Sequence, residues 1–104
     1  MVKVSYKKSS RRVELIVDGH AGWSKKGSDI VCAGISALVS TLANYLLRQG
    51  NEKECICTVK EGYAHLCSHE EESFLLFDFV YTGLVAIGKM YPKHLFVTIS
   101  DQQR

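Results

Sequence analysis

From Ile30 to Leu47 the chain carries no charged side chain. A run of that length has two physical outcomes: a helix that spans a bilayer, or a helix at the centre of a globular core. Ser36, Ser40, Thr41 and Asn44 interrupt its apolarity and no second span is read after it, so the core helix is the expectation. Val31, Ile35, Leu38, Leu42 and Tyr45 recur at helical spacing, and Gly50 after Gln49 supplies a natural stop. Ser28 or Asp29 is read as the cap, because either side chain accepts a bond from a free backbone N–H.

The flanking segments change period. Val2, Val4 and Tyr6 alternate with polar neighbours, Lys7 to Arg12 interrupts, and Val13, Leu15 and Val17 resume. Period two on both sides of a polar break reads as a hairpin. Glu54 to Lys60 and Tyr63 to Ser68 flank Glu61-Gly62 and read as a second hairpin. Its two-residue turn sets Lys60 opposite Tyr63, Cys57 opposite Leu66 and Ile56 opposite Cys67. Ser68-His69-Glu70-Glu71 fits a capping box, with Ser68 as N-cap and Glu71 at N3. A second helix then runs through Phe74, Phe77, Val80, Leu84 and Ile87; Gly83 and Gly88 weaken its end, and Pro92 stops it. Leu95 to Ser100 reads as a last strand.

The expected order is ββαββαβ: an α/β (α+β) chain, one domain over residues 1–104, with a mixed, largely antiparallel sheet and two helices. With 46% hydrophobic and 23% charged residues, enough apolar surface exists to offset chain entropy, which excludes disorder. A net charge of +2 lacks the footprint of a dedicated nucleic-acid binder, so RNA binding is read as incidental. Met1 to Tyr6 alternates and has no apolar signal core. The expectation is a cytoplasmic protein without a membrane segment, whose four Cys stay reduced and serve packing, metal or catalysis.

The informative stretch is Asp18 to Leu38, DGHAGWSKKGSDIVCAGISAL. It sets a His at a strand end and a Cys at a helix start on either side of a Gly-bearing loop. With Asp29 as N-cap, Cys32 is at N3, where free N–H groups and the helix dipole favour a thiolate and can hold an oxyanion. A neighbouring imidazole can move the proton. Against this stands plain burial, since Cys beside an apolar helix is often only a core residue.

Gly19-His20-Ala21, then Asp29-Ile30-Val31-Cys32-Ala33, then Ser36-Ala37-Leu38 resemble the signature of the ribosomal-processing cysteine protease family. Members of that family are similar to this chain in length and element order, so the resemblance covers nearly all of it. Gly34 stands where many relatives carry a bulkier residue. The resemblance implies a bacterial endopeptidase that removes a short N-terminal extension from a large-subunit ribosomal protein, number twenty-seven, during ribosome assembly. It implies His20 and Cys32 as the catalytic dyad, no cofactor, and a homodimer, for which Phe74 to Tyr81 offers apolar surface.

In that reading Cys32 is the nucleophile and His20 the proton carrier. Asp29 has three readings: helix cap, orienter of His20, or substrate contact. Ser36 lies one turn after Cys32 and either lines the site or bonds its own helix. The loop with Gly19, Ala21, Gly22 and Trp23, taken as far as Ser28, reads as a mobile cover over substrate, although a loop Trp is often an edge of the core. Cys55-x-Cys57 and His65-x-Cys67-x-His69 look rich in metal ligands, but the hairpin register points the first pair to one face and His65 and Cys67 to the other. Cys55 and Cys57 then share the core face with Val59, Ala64 and Leu66. No metal is expected, and Cys67 is read as accessible. Two rivals remain: a non-catalytic ribosome- or RNA-associated module using Lys7, Lys8, Arg11, Arg12, Lys25 and Lys26, and a redox or acyl-carrying thiol protein. The lack of Cys-x-x-Cys counts against the redox form.

Overall fold

The computed structural model describes residues 1–19, 26–49 and 55–101. The order is β1 (Val2–Lys8), β2 (Val13–Asp18), α1 (Lys26–Arg48), β3 (Cys55–Lys60), β4 (Tyr63–Ser68), α2 (Glu71–Met90) and β5 (Leu95–Asp101). This is the ββαββαβ arrangement expected from the periods. The strands form one sheet in the order β3-β4-β2-β1-β5. Each neighbouring pair is antiparallel except β1 and β5, which run parallel.

The register puts every alternating apolar set on one face. Val4 pairs with Val17 and Tyr6 with Leu15. Leu15 pairs with Leu66 and Val17 with Ala64; Val2 pairs with Leu95. All of these are buried under the two helices. α1 lies toward β3 and α2 toward β5, and the helices touch each other. Their contact is close at two glycines: a Cβ on Gly83 would sit 2.9 Å from Leu38 Cδ1, and one on Gly34 3.2 Å from Ile87 Cδ1. Gly34 therefore serves interhelical packing rather than merely loosening its helix.

Four expectations change. α1 starts at Lys26, one turn before the cap expected at Ser28 or Asp29, because an added helical turn outweighs the weak propensities of Gly27 and Ser28. Asp29 is therefore inside the helix and is not its N-cap. Ser68 stays in β4, paired with both Val13 and Cys55, so the N-cap of α2 is Glu70, which makes no side-chain cap bond. Ser68 still serves the helix start: its Oγ accepts the Glu70 N–H at 3.0 Å and lies 2.7 Å from Ser73 Oγ. The last turn of α2 holds to Met90 despite Gly83 and Gly88. Finally, Glu71–Met90 is, like Ile30–Arg48, long and apolar enough to cross a membrane by length and composition, so the expected lack of a second such stretch is wrong. Both helices nevertheless bury a face in the common core, through Val31, Ile35, Val39, Leu42 and Leu46 on α1 and Phe77, Val80 and Leu84 on α2.

Candidate active site

Cys32 sits on the second turn of α1 and is half-buried at the edge of the core. Because the helix begins at Lys26, the Cys32 amide falls within the hydrogen-bond ladder rather than among the unpaired N–H groups of the first turn. The helix dipole is also felt mainly in that first turn. The expected N3 setting is thus corrected.

The thiol borders a cavity of about 250 Å³ between α1 and the β3–β4 turn. Ser36 and Ser40 continue the line of Cys32 along α1 at intervals of four, so all three lie on one helix face and line this space. Its apolar surface comes from Val2, Val17, Ile35, Val39, Val59 and Ala64. Gly19 and the turn residues Lys60, Glu61, Gly62 and Tyr63 complete its lining, with the Gly19 N–H bonded to the Gly62 carbonyl at 2.8 Å.

Cys32, Ser36 and Gly19 border the same cavity. His20, Ala21, Gly22 and Trp23 lie outside the described residues, and so does the side chain of Asp29. Helix α1 also takes Lys26, Gly27 and Ser28 out of the expected loop. The turn Lys60–Tyr63 and Ser40 were not foreseen. Ser40 carried a signal, the four-residue spacing from Ser36. The turn carried none, since its proximity depends on β4 pairing with β2 far along the chain.

The other Cys and His sort by face. The hairpin register is as expected, with Ile56 opposite Cys67 and Cys57 opposite Leu66. Cys55 and Cys57 pack against the core, and burial pushes the Cys57 thiol up. Val59 departs from that set and is half exposed, because it borders the cavity rather than the helices. Cys67 is not accessible: it is 1% exposed, beside Arg12 and Glu14. His65 bonds Glu14 through Nε2 at 2.5 Å, and Arg12 reaches the same carboxylate at 3.2 Å. Burial pushes the Glu14 carboxyl up, but His65 and Arg12 outweigh it, so its pKa lies below the ordinary range.

Comparison with known proteins bears on this site. The model of the family described as cysteine protease Prp matches residues 1–96. No curated protein matches the chain. Among solved structures, the essential ribosomal processing protease Prp from S. aureus in complex with a substrate peptide is 25% identical, with a TM-score of 0.78 over 96% of this chain and 100% of that one. The same S. aureus protease with a covalently linked product peptide is 25% identical, with a TM-score of 0.74 over 98% of this chain and 100% of that one. SMU.848 from Streptococcus mutans shares the fold at 23% identity and a TM-score of 0.72, covering 100% of this chain and 96% of that one.

Proposed function

Because the chain belongs to the cysteine protease Prp family, we propose that it is an endopeptidase using a His20–Cys32 dyad to remove the N-terminal extension of a large-subunit ribosomal protein, number twenty-seven. The observation that carries this reading is Cys32: a half-buried thiol bordering an open cavity that Gly19, the residue before His20, also borders. The S. aureus relative is a ribosomal processing protease and has been captured with a covalently linked product peptide, which suits a covalent thiol mechanism. The ribosomal substrate follows from that relative and from the resemblance of the motif around Cys32.

In the proposed reaction His20 takes the Cys32 proton and the thiolate attacks the scissile carbonyl carbon. The C–N bond breaks as His20 returns the proton to the leaving amine, which leaves a thioester on Cys32. Water, deprotonated by His20, then attacks the thioester and releases the carboxylate and the thiol. Ser36, exposed one turn beyond Cys32 on the same cavity, supplies a hydroxyl to the peptide backbone. Asp29 retains two roles, orienting His20 or touching substrate. Gly19, Ala21, Gly22 and Trp23 form the segment facing the substrate. The reading requires no metal or other cofactor.

We further propose a cytoplasmic homodimer. Of the run Phe74 to Tyr81, Phe77 is buried and Tyr81 stacks on Tyr6, while Leu75 and Phe79 point outward. The rival reading as an RNA-associated module loses support, because two cations of its basic run are already paired, Lys8 with Asp78 and Arg12 with Glu14.

The test is direct. The protein is incubated with the ribosomal protein bearing its native extension, and new N-termini are mapped by mass spectrometry. A single internal cut by wild type, absent from Cys32→Ala, is expected. Cleavage by Cys32→Ala near the wild-type rate would overturn the assignment.

A further inference from the structure

We infer that the open edge of β3 is the docking strand for the substrate: the N-terminal extension adds to it as an extended strand, held by the outward backbone groups of Cys57 and Val59. The inference rests on the proposed protease reading and adds to it how the peptide is held along the cavity.

β3 stands at one end of the sheet, and among the described residues it pairs only with β4. The Gly62 carbonyl accepts the Gly19 N–H at 2.8 Å, so it points toward β2. The Tyr63 N–H belongs to the same planar peptide unit and points the opposite way, toward β3. Backbone groups alternate in direction along an antiparallel strand, so Tyr63, His65 and Cys67 turn their N–H and C=O to β3. Their partners Lys60, Thr58 and Ile56 are thereby satisfied within the hairpin. Cys57 and Val59, between those partners, direct both groups away from β4 and out of the sheet. A row of such groups is a template for a further strand.

The open edge also faces the thiol. Leu38 and Gly34 of α1 meet Gly83 and Ile87 of α2. Cys32, Ser36 and Ser40 lie about 180° around the helix from that contact, at about 100° per residue. α2 lies on the β5 side of α1, so this line of residues faces the β3 edge. Ser36 and Ser40 are exposed, and Val59 and Lys60 border the same cavity as Cys32. The edge and the line from Cys32 to Ser40 therefore flank one groove.

Strand addition suits a protease. Main-chain bonds hold a peptide extended whatever its side chains, and pockets for alternate side chains select it. Every second residue of the added strand would face the helices and the cavity, beside Val59, while the others face away. The six residues of β3 span about 20 Å, which accommodates a short extension. The rival occupant is β3 of a second copy. Continuity of the edge with the cavity of Cys32 favours the substrate, and the exposed Leu75 and Phe79 give a second copy a more apolar place to bind.

The test is residue-resolved amide hydrogen exchange on Cys32→Ala protein. It is run with and without a synthetic peptide spanning the native extension and the first residues of the mature ribosomal protein. In the free protein Thr58 should be protected by the ladder while Cys57 and Val59 exchange freely. Saturating peptide is expected to slow Cys57 and Val59 by about tenfold or more and to leave Thr58 unchanged. Val59→Pro removes one outward donor and no ladder bond, a place where a strand tolerates proline. It is expected to weaken peptide binding about fivefold, the net worth of one hydrogen bond, with Tm reporting that the fold is kept. Methylating successive backbone nitrogens of the peptide should weaken binding at alternate positions, and this scan decides the matter on the unaltered edge where Val59→Pro fails to fold. A peptide that binds without slowing Cys57 and Val59, or a methylation scan without a two-residue period, overturns the inference. Protection already present in the free protein and rising with its concentration gives the edge to a second copy and overturns it as well. Cleavage of the peptide by wild type with unchanged exchange at Cys57 and Val59 removes the docking strand and leaves the protease reading standing. Absence of both binding and cleavage removes the protease reading, and the docked peptide with it.

Discussion

Cys67 is held between Arg12 and Glu14 on the side of the sheet away from the helices, and burial pushes its thiol up while Arg12 partly offsets that push. Burial also raises the Cys57 thiol. Cys32 instead borders the open cavity. Brief treatment of native protein with limiting iodoacetamide near neutral pH should therefore label Cys32 first, by on the order of tenfold over Cys57 and Cys67. His20→Ala should slow that labelling. Peptide mapping checks both, and dominant label on Cys67 before denaturation would contradict the site reading. The carboxylate beside Cys67 makes a second prediction. The folded pKa of Glu14 lies below its unfolded value, so its contribution to stability is fully present above the ordinary carboxylate range and is lost as pH falls through the folded value. Glu14→Gln should cost about 2 kcal/mol at neutral pH, the worth of a charge-assisted hydrogen bond. The gap from wild type should close as the solution is acidified below the carboxylate range, measured by urea unfolding across pH. A gap that stays constant into acid would show that the His65 and Arg12 contacts do not act through the Glu14 charge.

α1 and α2 meet where glycine on one helix faces an apolar side chain on the other, Gly83 against Leu38 and Gly34 against Ile87. Gly83→Leu should force the helices apart and destabilise by about 1–3 kcal/mol, the usual cost of overpacking, despite the better helix propensity of leucine. Thermal unfolding measures it; a raised Tm would mean that Leu38 swings aside at no cost. Elements of this kind differ in how far the sequence exposes them. The register of the β3–β4 hairpin was legible, because its two-residue turn is local, although Glu54, its expected first residue, lies outside the described residues. The start of α1 was not, since Lys26-Gly27-Ser28 has no apolar period and only the fold decides whether the helix claims it. Ser68 fits both a cap and a strand, and pairing with Val13, distant in sequence, selects the strand. The site divides in the same way. Cys32 and Ser36 stand out as candidates through helical spacing and the motif around them, and both border the cavity. The cavity wall from Lys60 to Tyr63 was not, because it arrives through β4 lying beside β2 rather than through any neighbour in sequence.

On the helix-free face of the sheet, Lys7 lies opposite Glu14 and Lys3 opposite Asp18, with exposed Ile56 and Phe96 among them. The outer side of α2 is more uniformly apolar where it is exposed. Leu75 and Phe79 are each 75% exposed and stand one helical turn apart, and Met90 at the end of the helix is 69% exposed. From Leu75 to Met90 this stripe runs about 22 Å at the helical rise per residue. An apolar stripe on one helix suits a two-fold interface, in which each copy presents the same helix to its partner. Phe79→Asp should convert the proposed dimer to a monomer, with a smaller effect from Met90→Lys at the end of the helix. Sedimentation equilibrium over a range of concentrations checks it, and a wild-type protein that remains monomeric at about a hundred micromolar, weaker than specific interfaces usually bind, removes the dimer. The same variants test how the surface relates to the site. No residue of α2 borders the Cys32 cavity. Monomeric Phe79→Asp should therefore alkylate at Cys32 as fast as wild type, and slower alkylation would mean that the dimer holds α1 in place as well as covering α2.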